Sequence, residues 1–294
     1  MEIPTKIVEG VRKGQCILFL GAMAVAADPP AGSPFKYKAT LPGGKALSNM
    51  LADKCGYPDG DKDNLQRVSL FFQCREHNSR EDLIKAIGEI FAQSKAVPSP
   101  PLDMLAALPF RIIITTNYDA LFEKALYKAT TRDGEGKSPV VTVYDPDRNG
   151  PPDKVTLDPP EASPILLKLH GDITKPNSIV ITEEDYITFI QRMASPHFHP
   201  IHENIRARMN EWPILFVGYS LRDFNLRLLF KTLRWHVDPA NYPLSFSVDP
   251  SPDNLIVSIL QRGPKPMVSF IQENLWDFVP ALYKACMGKE YEDE

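Results

Sequence analysis

Four short apolar runs, each closed by a glycine or a polar residue, constrain the fold of this chain more than any other feature of its sequence. They occupy residues 16–20, 110–116, 164–169 and 212–217, and they are followed by Gly21, Asn117, His170 and Gly218. Runs that are largely apolar, rather than alternating between apolar and polar residues, are typical of strands buried on both faces of a parallel sheet. Helical patterns separate them. The sequence therefore predicts an α/β fold with a Rossmann-like, doubly wound parallel sheet.

Amphipathic patterns predict the helices between these strands. The clearest lies at residues 81–94, where apolar side chains recur at helical spacing before the prolines of residues 98–101 break the pattern. Further helices are predicted at residues 45–54, 118–128, 183–193 and 224–235, with a short additional strand at 140–144. We expect one domain over residues 1–294. Its core is predicted at about 11–28, 105–128 and 164–260, with a helical and loop insertion at about 29–104.

Composition excludes several other classes of protein. The chain is 43% hydrophobic and 24% charged, which is enough apolar residue for a packed core. Its formal net charge is −4, so the whole chain has no excess positive field, and no direct nucleic-acid binding is expected. The four cysteines show no C-x-x-C spacing, so no zinc module is predicted. With no apolar run long enough for a signal or membrane segment, we expect a cytoplasmic protein with no membrane association.

Polar and small residues follow the four predicted strands. In an open parallel sheet, the carboxyl ends of the strands lie at one edge, where loop amides and helix N-termini bind ligands. The residues expected at this edge are Gly21, Ala22, Thr116, Asn117, Asp119, His170, Gly171, Asp172, Gly218, Ser220 and Asp223. The sequence therefore predicts a nucleotide pocket there.

The motifs at these positions resemble those of a known family. The segments FLGAMAVA, AGSPF, TTNYDALFE, LKLHGD, ITEEDY and FVGYSLRDFN follow one another in an order and spacing that resembles the Sir2-like family. The resemblance covers about residues 15–235. Within that family, the chain most resembles the bacterial Sir2-like proteins of antiphage defence, which lack the four-cysteine zinc module and hydrolyse NAD. TTNYD and LHGD, followed by GYS-x-x-D, are specific as a set.

The resemblance implies a role for each site residue. Asn117 and His170 would be catalytic: Asn117 would order the nicotinamide riboside end and a water, and His170 would face the ribose. Asp119 would lie near the carboxamide. The remaining implied cofactor-binding residues are Gly21, Ala22 and Ala24 at the pyrophosphate, Gly218 and Ser220 at a phosphate or the adenosine ribose, and Thr116 and Asp223.

These roles imply an NAD hydrolase that releases nicotinamide and ADP-ribose. Breaking the N-glycosidic bond develops positive charge on the ribose, so the site needs a positioned amide, a guided water and an acid–base group with a pKa near neutrality. NAD is the expected substrate, and no metal is expected. The resemblance also implies a homo-oligomer and a partner. A HerA-like ATPase is favoured for a chain of this length, and a short Argonaute is the alternative.

Four alternatives remain open from the sequence. The family has a second glycine where this chain has Met23, and a side chain there is expected to crowd the pyrophosphate or to demand a less favourable backbone angle. This departure favours a noncatalytic scaffold that binds NAD or ADP-ribose. An NAD-dependent protein deacylase is another possible class. Finally, Asn117 could cap the following helix, and a metal could be bound by His197, His199, His202 and Glu203.

Overall fold

One parallel sheet organises the molecule. The computed structural model describes residues 1–58, 60–147, 155–195, 200–221, 241–262 and 266–291. Within these residues, seven strands pair in the order β3-β4-β2-β1-β5-β6-β7, and every pairing is parallel. The α/β fold with a parallel sheet is thereby confirmed. The strands are β1 Ile17–Leu20, β2 Ile112–Thr115, β3 Val140–Val143, β4 Ile165–Lys168, β5 Ile214–Val217, β6 Ser245–Val248 and β7 Val268–Ile271.

Helices surround the sheet. Between β1 and β2 the chain forms five of them, and three of these (α3, α4 and α5) build a separate apolar cluster around Leu51, Val68 and Leu83. The described helices are α1 Thr5–Arg12, α2 Met23–Ala26, α3 Gly44–Cys55, α4 Leu65–Cys74, α5 Arg80–Ser94, α6 Pro100–Ala107, α7 Leu121–Lys128, α8 Glu183–Ala194, α9 Glu203–Glu211, α10 Asn254–Leu260 and α11 Leu275–Met287. None of the helices in the described part of the chain has the length and apolar character needed to span a bilayer.

The position of β1 at the centre of the sheet explains why its sequence is apolar throughout. Successive side chains of β1 point to opposite faces: Leu18 and Leu20 pack into one core cluster, whereas Ile17 and Phe19 pack into the other. Because helices cover both faces, neither set can be polar. β1 pairs with β2 on one side and β5 on the other, so the loops after these three strands are neighbours in space.

The last two strands of the sheet, β6 and β7, were not predicted. β6 has the sequence SFSV, and its buried serines hide the apolar pattern that marks a core strand. The helix α11 contains Pro280, which is normally a helix breaker. The prolines at 98–101 do end the α5 pattern, yet Pro100 and Pro101 also begin α6 after the Ser99 cap. The helix predicted at 224–235 lies outside the described residues.

Candidate functional site

The loops after β1, β2, β4 and β5 enclose a cavity of about 580 Å³. This volume is within the range of small-molecule sites. Seven of the ten residues to which the resemblance assigns a role line it: Ala22, Thr116, Asn117, Asp119, His170, Gly218 and Ser220. Gly21, which follows β1, and Ala24, in α2, are not among its lining residues, and Asp223 is outside the described residues. The structure therefore brings together side chains that the sequence separates by almost 200 positions.

Two glycines allow the loops after β1 and β5 to touch. A Cβ on Gly218, whose φ is 72°, would lie 2.2 Å from the backbone nitrogen of Ala24. A Cβ on Gly21 would lie 2.4 Å from the ring of Tyr219. The loops are joined by the Met23 amide, which donates to the Gly218 carbonyl at 3.1 Å. No larger residue fits at either glycine without separating the two loops.

The amides of the first loop are mostly used within the protein. The Gly21 amide donates to the Val217 carbonyl at 3.0 Å, and the Ala24 amide donates to the Gly21 carbonyl at 3.0 Å. Among the residues that the structure describes, the Ala22 amide has no such acceptor. Of the three residues expected at a pyrophosphate, Ala22 is thus the one whose backbone N–H is available to a ligand.

Met23 does not carry the conformational strain that its position suggested. It is the first residue of α2, and its φ is not among the positive values of the chain. The expectation of an unfavourable backbone angle was therefore wrong. Its side chain is half exposed and lines the cavity, with Sδ next to Gly43. Any cost of Met23 to ligand binding is therefore steric.

Asn117 is fixed from two sides. Its amide N–H donates to Thr115 Oγ1 at 3.0 Å, and its side-chain Nδ2 donates to the Gly21 carbonyl at 3.2 Å. The N-cap residue of α7 is Ala120, and the Leu121 amide donates to Asp119 Oδ1. Asn117 therefore does not cap this helix. Its Oδ1 receives no hydrogen bond from the described residues and can accept one from a ligand or water.

His170 is a buried, neutral imidazole. Its ring meets the edges of Tyr186 and Phe189 at centroid distances of 5.1 and 5.3 Å. The Tyr186 hydroxyl lies 3.4 Å from Nδ1 of His170. Burial lowers the pKa of His170 to about 3, far below the near-neutral value expected from the sequence. The imidazole therefore carries no charge at physiological pH.

Asp119 is one of two acidic residues, with Asp63, among the described residues that line the cavity. Burial raises its pKa, while the hydrogen bond from the Leu121 amide and the nearby Lys168 ammonium oppose that shift. Its carboxylate accepts from the Leu121 amide at 2.8 Å. Asp119 thus satisfies the amide of the first residue of α7 as well as lining the cavity.

Two residues close to the site were not assigned a role from the sequence. Tyr186, in the ITEEDY motif, contacts His170 and lines the cavity. Lys168, in LKLHGD, is fully buried and binds groups from both the TTNYD and LHGD motifs. A lysine inside an apolar strand was the available signal, because a buried ammonium requires dedicated partners.

The alternative metal site is only partly within the described residues. His202 caps α9 by accepting from the Asn204 amide at 3.1 Å, and Glu203 is the first residue of that helix. His197 and His199 lie outside the described residues. Within the described residues, no group of three or more His, Cys, Asp or Glu side chains is arranged to hold a metal.

The comparison with family models defines the class of the protein. The model described as a SIR2-like domain matches residues 111–261, which is about half of the 294 residues. The matched segment contains Asn117, His170 and Gly218. The chain therefore belongs to the SIR2-like domain family.

Individual proteins similar to this chain give a more specific comparison than the family model. The chain is 25% identical over 300 residues to defense-associated sirtuin 2 of Bacillus subtilis, covering 98% of this chain and 26% of that protein. It is 30% identical over 233 residues to the NAD(+) hydrolase ThsA of Acinetobacter baumannii, covering 79% and 42%. It is 25% identical over 227 residues to the NAD(+) hydrolase ThsA of Enterococcus faecium, covering 77% and 41%. The chain thus spans between a quarter and two-fifths of the length of these relatives.

Proposed function

We propose that this protein hydrolyses NAD at the bond between nicotinamide and ribose, producing nicotinamide and ADP-ribose. The observation that carries the proposal is the meeting of Asn117 and His170 in one cavity, although they follow different strands. The names of the ThsA relatives support the same chemistry. NAD enters the proposal as the substrate.

The neutral state of His170 suits this reaction. Positive charge develops on the ribose as the glycosidic bond lengthens, and a protonated imidazole beside it would repel that charge. A neutral imidazole instead presents a lone pair that accepts a hydrogen bond from a ribose hydroxyl or a water. Nicotinamide departs as a neutral molecule, so the site does not need a strong acid.

Asn117 supplies the positioned amide. Its Nδ2 is held by the Gly21 carbonyl, so the orientation of the whole amide group is set before the substrate binds. The free Oδ1 can then hold the attacking water or a ribose hydroxyl. Such preorganisation lowers the entropic cost of bringing water to the reacting carbon.

The rest of NAD would follow the loops after β1 and β5. The available Ala22 amide suits a phosphate oxygen, and Gly218 and Ser220 form the adjoining wall. Thr116, whose Oγ1 lies 3.1 Å from the Tyr219 hydroxyl, joins that wall to the Asn117 turn. Asp119 would meet the carboxamide. We also propose roles at this site for Gly21, Ala24 and Asp223, as the family resemblance implies.

The biological setting that we propose is antiphage defence. Uncontrolled NAD hydrolysis would harm the cell, so activity would be governed by assembly. We propose a homo-oligomer that works with a HerA-like ATPase, with a short Argonaute as the alternative partner. The name of the B. subtilis relative supports a defence role in general terms.

The test is nicotinamide release from NAD by the purified protein, alone and with its partner. Asn117→Ala and His170→Ala should each lower the rate by about 10²-fold or more. Matched controls are Asn78→Ala, whose side chain binds the Phe72 carbonyl, and His202→Ala, whose side chain caps α9. Both controls should retain the parental rate.

The other outcomes identify the alternatives. Release that requires an acyl-lysine peptide would indicate a deacylase. Thermal stabilisation by NAD or ADP-ribose without turnover would indicate a binding scaffold. Equal rates for Asn117→Ala and the parent protein would contradict the proposed mechanism.

A further inference from the structure

We propose that Lys168 is a positioning residue of this site, because its ammonium group clamps the turn that carries Asn117 to the turn that carries His170. The proposal rests on the function proposed above and deepens it. Lys168 is the last residue of β4 and is fully buried, and it is not among the described residues that line the cavity. Any effect on a substrate must therefore pass through its neighbours.

The ammonium reaches the Asn117 turn directly. Its Nζ donates to the carbonyl oxygens of Tyr118 and Asp119 at 3.3 and 2.8 Å, and to Glu123 Oε1 at 2.9 Å. Tyr118 and Asp119 follow Asn117 directly, and Glu123 lies in the first turn of α7. On its other side, Asn117 is held by Thr115 and Gly21. Lys168 thus contacts the far side of the turn, where the Ile173 amide also donates to the Tyr118 carbonyl.

The same ammonium also closes the His170 turn. Nζ of Lys168 forms an ion pair with Oδ2 of Asp172, so the two residues that flank the turn are joined around His170. The Gly171 amide donates to the Lys168 carbonyl at 3.3 Å, which shortens the loop further. The imidazole is therefore carried by a five-residue turn whose ends are tied together.

The set of acceptors matches what a buried ammonium requires. Three N–H donors face two carbonyl oxygens and two carboxylates, so neither the lysine nor the acids are left without partners. A structural lysine would need only enough acceptors to satisfy its charge. Here the acceptors come from both motifs that carry the candidate catalytic residues, and that distribution indicates a positioning role.

Lys137 is the matched control. It is also buried, and its Nζ donates to the carbonyl oxygens of Ala106 and Leu108 at 2.8 and 2.7 Å, away from the cavity. Lys168→Met and Lys137→Met remove the same group from comparable burial. Only the first substitution should move Asn117 relative to His170.

The experiment combines kinetics with hydrogen exchange on the full chain. For Lys168→Met we expect kcat for nicotinamide release to fall about 10²-fold with KM changed less than about threefold, since small displacements of catalytic groups carry such costs. Exchange should accelerate at 117–123 and 169–173, where the Ile173 amide donates to the Tyr118 carbonyl at 3.0 Å. Lys137→Met should keep the parental kcat, with faster exchange at 104–110 and 130–138.

A milder variant covers the case in which Lys168→Met fails to fold. Glu123→Gln leaves the other three contacts of Lys168 in place, and we expect a kcat loss of about threefold with faster exchange limited to 117–123. An unchanged kcat and unchanged exchange in these variants would overturn the proposal, as would an equal loss of kcat in Lys137→Met. If the parent protein releases no nicotinamide under any condition, the proposed function fails. The exchange data then still decide whether Lys168 holds the two turns together.

Discussion

The two ends of the sheet use the same residue types in different ways. At the carboxyl end, a buried lysine, Lys168, and a left-handed glycine, Gly171, hold the loop of His170. At the amino end, Lys137 and Gly134 lie in the connection that leads from α7 to β3. Lys168 pairs with two carboxylates, whereas Lys137 meets carbonyl oxygens. The difference shows that burial of a charged group does not by itself indicate a functional site. The elements that the group connects are the more informative feature.

The glycine pair gives the largest expected difference between the two ends. Both have positive φ, 91° for Gly171 and 84° for Gly134, but a Cβ on Gly171 would lie 2.2 Å from the Ser178 carbonyl oxygen. A Cβ on Gly134 meets nothing within 4 Å. We expect Gly134→Ala to cost about 1 kcal/mol of unfolding free energy, from backbone conformation alone.

Gly171→Ala adds a collision with backbone to the same conformational cost. We expect a loss of about 3–5 kcal/mol, or failure to fold, because neither chain segment can move without opening the His170 turn. Urea denaturation of both variants measures the difference. Similar losses for the two substitutions would show that the carboxyl-end turn is more adaptable than the contacts indicate.

The strands of the site could be predicted from the sequence because they are apolar on both faces. The ends of β1, β2, β4 and β5 were found within two residues, and with them the residues that follow. Asn117 and His170 could be placed at one sheet edge on this basis. β6 and β7 could not, since the buried serines of β6 are indistinguishable from solvent-facing ones without knowledge of their neighbours.

The features of the site that could not be predicted from the sequence depend on contacts between residues far apart in the chain. The neutral state of His170 depends on burial against Tyr186 and Phe189, which come from a helix that follows it. The use of the Gly21 and Met23 amides within the protein depends on the approach of β5 and the loop that follows it, because they donate to the Val217 and Gly218 carbonyls. The role of Lys168 depends on Glu123 and on the Asn117 turn, which are more than 40 positions away. Local sequence patterns do not reveal contacts between residues that are so far apart in the chain.

Lys137 gives a second, pH-dependent difference. Burial lowers its pKa from 10.5 to about 8; nearby Glu161 opposes this shift to a smaller extent, and nearby Arg132 adds to it. Between these two pH values, the unfolded chain binds the proton that the folded chain has released, so stability rises with pH. Relative to Lys137→Met, the parent protein should gain on the order of 3 kcal/mol from pH 8 to 10.5.

Chemical denaturation at several pH values measures this effect. The quantity of interest is the difference between parent and variant at each pH, because all other titrating groups are shared. A constant difference across this range would mean that Lys137 keeps its proton, held by the two carbonyl acceptors at the end of α6.

Ion pairs give the smallest expected difference. At the amino end, Arg208 binds both oxygens of Asp158, whose side chain is 55% exposed. Exposed pairs contribute less than about 1 kcal/mol. Arg208 would also keep Glu211 and its position 5.0 Å from the centre of the Trp212 ring. We therefore expect Asp158→Asn to cost about 0.5 kcal/mol or less, and less still at high salt.

The corresponding carboxylate near the cavity has more partners. Asp185 binds Arg80 and also accepts from the amides of Ile181 and Thr182 at 3.0 Å, which together begin the helix that carries Tyr186. Asp185→Asn should cost about 1–2 kcal/mol, since it weakens a helix cap together with an ion pair. Thermal unfolding at low and high salt compares the two variants. The loss for Asp185→Asn should be less salt-sensitive than the loss for Asp158→Asn, because part of it comes from amide hydrogen bonds, which salt screens less than exposed charges. Equal and equally salt-sensitive losses would show that the carboxyl end is held no more specifically than the amino end.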